Sequence, residues 1–272
     1  MTDLRSLELK LPNGSPPAAL STGLVVFMTM LFIINFVFDI NRHISLTPGA
    51  LFSLDLNRIS MYPLGHLSIV HLLMNCISIY GPLTAFERSH GTVHTGVILN
   101  LLAVFTAIPY CLLGSVFFSE TEVIGSSGWC FSLLGYFSLK ESILRPQQQI
   151  FNNYYLPTRY IPVVALVFVT IFFPGSSFWG HLIGLCWGYA LGSKEVYAAR
   201  LAPPSWIIQK IESKLDRAIA MIPFGVKFYR EVDANRQESY SSFFGEESIL
   251  PLHSDTTTSN SAFQGEGRPL GV

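Results

Sequence analysis

The sequence predicts an all-α polytopic membrane protein: a bundle of six transmembrane helices followed by a cytosolic, mostly disordered C-terminal tail. Half of the 272 residues are apolar and only 13% are charged, with a mean hydropathy of +0.41, a balance foreign to most water-soluble domains. A bilayer core calls for about 20 apolar residues per helix, and six such runs occur, near residues 18–39, 66–86, 95–118, 127–144, 157–174 and 177–196. All but Arg42 and Arg58 of the 17 Lys and Arg residues fall on one side of the resulting topology. By the positive-inside tendency, both termini are then cytosolic.

Each element has its own signal. Residues 1–17 form a short cytosolic tail, and 18–196 hold the six spans. The first run, ALSTGLVVFMTMLFIINFVF, is too long for a signal-peptide core and reads as a retained span. The second begins HLSIVHLLMN, where His71 and Asn75, four residues apart, share a helical face. An Asn in hydrocarbon is costly unless satisfied. The pair therefore either faces a polar cavity, where both side chains can donate to an anionic oxygen, or forms an interhelical clamp. His66 reads as structural.

The fourth run opens with Gly125-Ser126-Ser127-Gly128. Here Ser127 stands at a helix start, whose unpartnered N–H groups and positive dipole end suit a developing oxyanion, and Gly125 and Gly128 permit tight backbone geometry. The other reading of this stretch is a small-residue packing patch. The fifth run is short and flanked by Pro157, Pro162 and Pro174, features compatible with a movable gate; were it not a span, the sixth would invert.

The sixth run, SFWGHLIGLCWGYALG, carries His181, the sole histidine of the last four spans. With cytosolic termini, the even-numbered spans all start on the lumenal face, so His181 and Ser127 lie at similar depth. Glycines 180, 184, 188 and 192 form a stripe that lets a neighbouring backbone approach. A serine nucleophile needs a base within reach, and an ionisable residue inside a span is a functional candidate. Cys76, Cys111, Cys130 and Cys186 all fall in apolar runs and read as buried small hydrophobes rather than disulfides.

Beyond the spans, residues 197–229 include SWIIQKIESKLDRAIAMI, whose apolar residues recur at helical spacing. This suits a helix in the cytosolic interface, with a core-packed helix as the other reading. From 230 to 272, Ser, Thr, Asn and Glu dominate, the composition of a disordered tail.

HLSIVHLLMN, GSSG and GHLIGLCWGYALG, in this order on the second, fourth and sixth spans, resemble the three signature regions of rhomboid intramembrane serine proteases. HGTVHTGVILNL, FPGSSFWGH and IPFGVKFYREVD are similar to the Golgi-type rhomboids of yeasts. The resemblance implies a Ser–His dyad without a third acid. Ser127 would be the nucleophile and His181 the general base and acid, with the oxyanion held by Asn75, His71 and the Ser127 backbone N–H. Gly125, Gly128, Phe131 and Gly184 would support the site, Phe131 where the family often has a tyrosine stacked on the catalytic imidazole. Glu87 matches a structural glutamate. The first lumenal loop lacks the Trp-Arg pair common in the family.

FQGEGRPLG, residues 263–271, resembles the F-x-G-x-G-x-x-L peptide that recruits the valosin-containing type of AAA+ ATPase. Phe263 and Leu270 would fill apolar pockets, and Gly265 and Gly267 would allow an extended fit. An unstructured end without a partner is the alternative.

Two function classes follow. One is a protease cutting single-pass membrane proteins, membrane-tethered regulator precursors among them, in the Golgi or else in ER or endosomal membranes. The other is a catalytically silent rhomboid-like adaptor delivering membrane clients to the ATPase. Intact Ser127 and His181 favour the first. A transporter is disfavoured by the lack of paired broken helices or internal repeats. No metal-ligand set, phosphate-binding loop or basic nucleic-acid stripe occurs, so no cofactor is implied.

Overall fold

A computed structural model describes residues 16–193, 202–223 and 225–234. Helices form at all six apolar runs: α1 (Ala19–Phe38), α4 (Ile69–His90), α5 (Thr92–Phe117), α6 (Ser127–Leu144), α7 (Ile161–Phe172) and α8 (Phe178–Ser193). Short helices α2 (Asn41–Ile44) and α3 (Leu56–Met61) fold the connection between α1 and α4, and α9 (Ser205–Lys214) follows the bundle. Among the described residues, α1, α4 and α5 are long and apolar enough to cross a membrane. Their outward positions carry large bare apolar side chains such as Phe36, Ile77 and Val116, each about three-quarters exposed, a surface suited to lipid rather than water.

The first turn of α1 is capped by another helix. Glu87, fully buried on α4, accepts from the backbone N–H of Leu20 and Ser21, both at 2.8 Å, and from the Ser21 hydroxyl at 2.7 Å. Thr92 Oγ1, at the start of α5, donates to the same carboxylate at 2.8 Å. A carboxylate is what the orphan donors and the positive end of α1 call for. One acidic side chain thus ties three helices together at the end of the bundle opposite Ser127.

The tightest packing joins α6 to α8. A Cβ at Gly184 would stand 2.5 Å from the Gly128 carbonyl oxygen, one at Gly188 would stand 2.1 Å from that of Ser132, and one at Gly192 would lie 3.1 Å from that of Tyr136. Both rows step by four residues, so the backbones run side by side along the helices. Without a hydrophobic drive between helices in lipid, such close approach and interhelical hydrogen bonds supply the adhesion. Ser132 Oγ donates to Gly184 O at 2.8 Å, while Trp129 Nε1 and Trp187 Nε1 donate to Leu99 O and Phe105 O of α5 at the same distance. Gly180 departs from the predicted stripe. Its missing Cβ faces Ser177 and Val123, because the helix has only begun there.

Other features were not anticipated. Residues Gln147–Phe151 and Tyr154–Pro157 pair as an antiparallel hairpin between α6 and α7, with Asn152 at φ 50° in its turn. The cysteines are all free; Cys111 is buried, but Cys186 is exposed on the outside of the bundle, contrary to the reading of all four as buried. Helix α9 buries Ile208 and Glu212 while Trp206, Ile211 and Leu215 stay exposed. A strap beyond it returns to the bundle. Lys227 N donates to Pro17 O at 2.8 Å, Ala19 N to Lys227 O at 2.9 Å, and Thr92 N to Tyr229 O at 2.7 Å. The predicted disordered tail lies outside the described residues from 235 onward, as do the docking-peptide positions Phe263, Gly265, Gly267 and Leu270.

Candidate active site

Helices α4, α6 and α8 start at the same end of the bundle, and their first turns converge. Ser127 is the first residue of α6. Ahead of it, Gly125 has φ +123°, a conformation closed to most L-residues. The turn is held from below by the first connection: Gly125 N donates to Tyr62 O at 2.9 Å, and Leu46 and Val123 exchange backbone hydrogen bonds of 2.8 and 2.9 Å. Tyr62 is itself fixed by its hydroxyl donating to Ala103 O of α5. These supports between distant segments leave no local sequence signal.

His181 lies in the first turn of α8, its N–H donating to Ser177 O at 3.1 Å, while Ser177 Oγ accepts from Gly180 N at 3.1 Å. Its Nε2 is 2.7 Å from Ser127 Oγ. The ring is 3% exposed, whereas Ser127 is only partly buried. Nδ1 has no hydrogen-bond partner among the described residues, so no carboxylate stands behind the imidazole. Instead the Phe131 ring packs against it, with centroids 4.8 Å apart and planes inclined by 31°. With Nδ1 carrying the proton, Nε2 is left as acceptor for the serine hydroxyl.

Helix α4 supplies donors. Ser68 Oγ caps α4 by accepting from His71 N at 3.2 Å, and Asn75 follows one turn later. A Cβ at Gly125 would lie 2.6 Å from His71 Nε2 and 3.3 Å from Asn75 Nδ2. The glycine, both donors and the start of α6 therefore border one small space. Asn75 is 5% exposed, and its Nδ2 is unpartnered among the described residues. The Ser126 side chain does not cap α6, leaving the first N–H groups of that helix for other use. Such convergent donors beside a serine suit an oxyanion.

His66 is 1% exposed and packs edge-on against His71, ring centroids 5.1 Å apart. Gly128 and Gly184 touch each other through backbone, setting the separation of the serine and histidine helices. Sequence reasoning missed Tyr62, which holds the Gly125 turn, and Cys130, which touches Asn75. Among the described residues, no three His, Cys, Asp or Glu side chains are grouped as metal ligands.

The chain has relatives among known proteins. A family profile for the Rhomboid domain matches residues 53–197. The chain is 51% identical to Rhomboid-type serine protease 2 of Saccharomyces cerevisiae, over 90% of this chain and 94% of that protein. Its counterpart in Kluyveromyces lactis is 52% identical, covering 96% and 97%. The protein of the same name from Candida albicans is 39% identical, covering 96% and 94%. The matched domain runs from ahead of His71 to beyond His181 and holds both members of the serine–histidine contact; the chain belongs to the rhomboid family of serine proteases.

Proposed function

We propose that the chain is an intramembrane serine endopeptidase that cuts single-pass membrane proteins in or near their transmembrane segments, with Ser127 as nucleophile and His181 as general base and acid. The observation that carries this reading is the 2.7 Å separation of Ser127 Oγ and His181 Nε2. Ser127 Oγ attacks the scissile carbonyl carbon as His181 Nε2 takes its proton. The negative charge passes to the carbonyl oxygen, held by Asn75, His71 and the Ser127 N–H. Collapse breaks the C–N bond, and the amine leaves with the proton from His181. Water then attacks the acyl ester by the same route, releasing a carboxylic acid and restoring the serine.

The six apolar segments serve as spans in this reading, with both termini cytosolic and the dyad near the lumenal face. Hydrocarbon holds no water, and a substrate helix hides its peptide bonds. A serine at a helix start therefore meets water and a locally unwound substrate in a cavity sunk from that face. Helix α7 buries only Pro162 and Leu166, and its 12 residues rise only about 18 Å, which suits a loosely held gate. A Golgi membrane and recruitment of a valosin-containing type of AAA+ ATPase through Phe263, Gly265, Gly267 and Leu270 complete the proposal.

The test is cleavage of a tagged single-pass substrate by purified protein in lipid. Wild type should cut, and Ser127→Ala and His181→Ala should not. Binding of a panel of membrane proteins without cleavage by wild type would overturn the reading in favour of the adaptor.

A further inference from the structure

An oxyanion donor works only if its carboxamide presents nitrogen, and nothing in an isolated Asn decides which end faces the site. Asn75 Nδ2 is buried beside Gly125 and has no hydrogen-bond partner among the described residues. Its other end meets α6: Cys130 Sγ lies 3.9 Å from Asn75 Oδ1 and 3.8 Å from Asn75 O. The thiol has one proton, and among the described residues both acceptors within its reach belong to Asn75. Were the carboxamide flipped, the N–H₂ group would confront that S–H, and the carbonyl oxygen would face the developing negative charge.

We propose that Cys130 is a positioning residue whose S–H fixes the Asn75 carboxamide with nitrogen toward the oxyanion. This rests on the oxyanion role read for Asn75. Cys130 sits three residues after Ser127, so one turn of α6 carries both the nucleophile and the group that orients the opposing donor. A one-residue shift of α6 would therefore disturb attack and charge stabilisation together.

The test is steady-state cleavage by wild type, Cys130→Val, Cys130→Ser, Asn75→Ala and the Asn75→Ala/Cys130→Val double variant. Valine fills the space without donating. It should lower kcat about threefold with KM unchanged, the size of one weak hydrogen bond, and serine should restore most of the loss. In the Asn75→Ala background the valine should cost nothing further. Wild-type kcat in Cys130→Val, or an undiminished loss in the double variant, overturns the positioning role while leaving the oxyanion reading intact. An unchanged kcat in Asn75→Ala alone overturns that reading and this proposal with it. Should the valine variant not fold, the infrared S–H stretch, assigned by its loss in Cys130→Ser, gives a second readout. It should move in Asn75→Leu, and a band that stays in place overturns the proposal.

Discussion

Gly184 has no room for a side chain: a Cβ would stand 2.5 Å from the carbonyl oxygen of Gly128. His181 is three residues before the one glycine and Ser127 immediately precedes the other, so this contact sets the separation of the two side chains. Gly184→Ala should push α8 from α6 and cost about 1–3 kcal/mol, the usual range for overpacking. Cleavage should fall much further than the folded fraction, and Gly184→Val should abolish it. Thermal unfolding in detergent, paired with cleavage at a temperature where the variant is folded, separates the two effects.

Phe131 governs a different property of the histidine. Its ring is the close aromatic neighbour of an imidazole with no acceptor at Nδ1 among the described residues, so packing does much of the work of holding the ring. Phe131→Ala should reduce kcat about tenfold, equivalent to some 1.4 kcal/mol of barrier, with a small change in KM. Phe131→Tyr should keep near wild-type turnover because the stacking surface is retained.

Glu87 lies remote from the chemistry and should behave accordingly. Removing its carboxylate leaves the Leu20 and Ser21 N–H groups and two hydroxyls without their acceptor. Glu87→Ala should destabilise the fold by about 3 kcal/mol or more, since each orphaned buried donor costs about 1–3 kcal/mol. The unfolding midpoint should drop while kcat per folded molecule stays near wild type. Glu87→Gln, which keeps an acceptor, should fall between.

The Glu212 carboxylate is buried beneath the strap, where it accepts the Glu231 N–H at 3.0 and 3.1 Å. Desolvation raises its pKa above the ordinary carboxylate value, against the opposing effect of that hydrogen bond. A group with a raised folded pKa binds protons more tightly when docked, so acidification stabilises docking. That contribution is fully present below the unfolded value and is lost as pH rises through the raised one. Hydrogen exchange of residues 205–233 should slow as pH is lowered from neutral toward that range, after correction for intrinsic rates. Glu212→Gln should remove this dependence and leave the segment more protected at neutral pH.

Much of this was legible because it depends on local pattern. The start of α6 at Ser127 follows from the glycine-serine run, and the even-numbered spans put Ser127 and His181 at one end of the bundle without knowledge of a single contact. The spacing of Gly184, Gly188 and Gly192 announced a close helix pair. What could not be read depends on pairing between distant segments: Tyr62 under Gly125, Leu46 beside Val123, Cys130 against Asn75. The hairpin left a faint signal in Asn152-Asn153 between Gln147–Phe151 and Tyr154–Pro157, a turn dipeptide flanked by β-prone residues, but it is short and lies between two strongly apolar runs. The strap at Lys227 and Tyr229 left no signal of its partners, because Pro17, Ala19 and Thr92 lie more than a hundred positions away.

That strap decides where a load on the tail is felt. Up to Ala234, the end of the described residues, the strap is held through Glu231, Tyr229 and Lys227, whose hydrogen bonds reach Glu212, Thr92, Pro17 and Ala19. Traction from the C-terminal side arrives first at this clip and next at the seat of α1, with the whole length of the helices still separating it from Ser127. The chain thus carries its own strain relief: a pull on Ala234 would first have to undo the fastening of the first span.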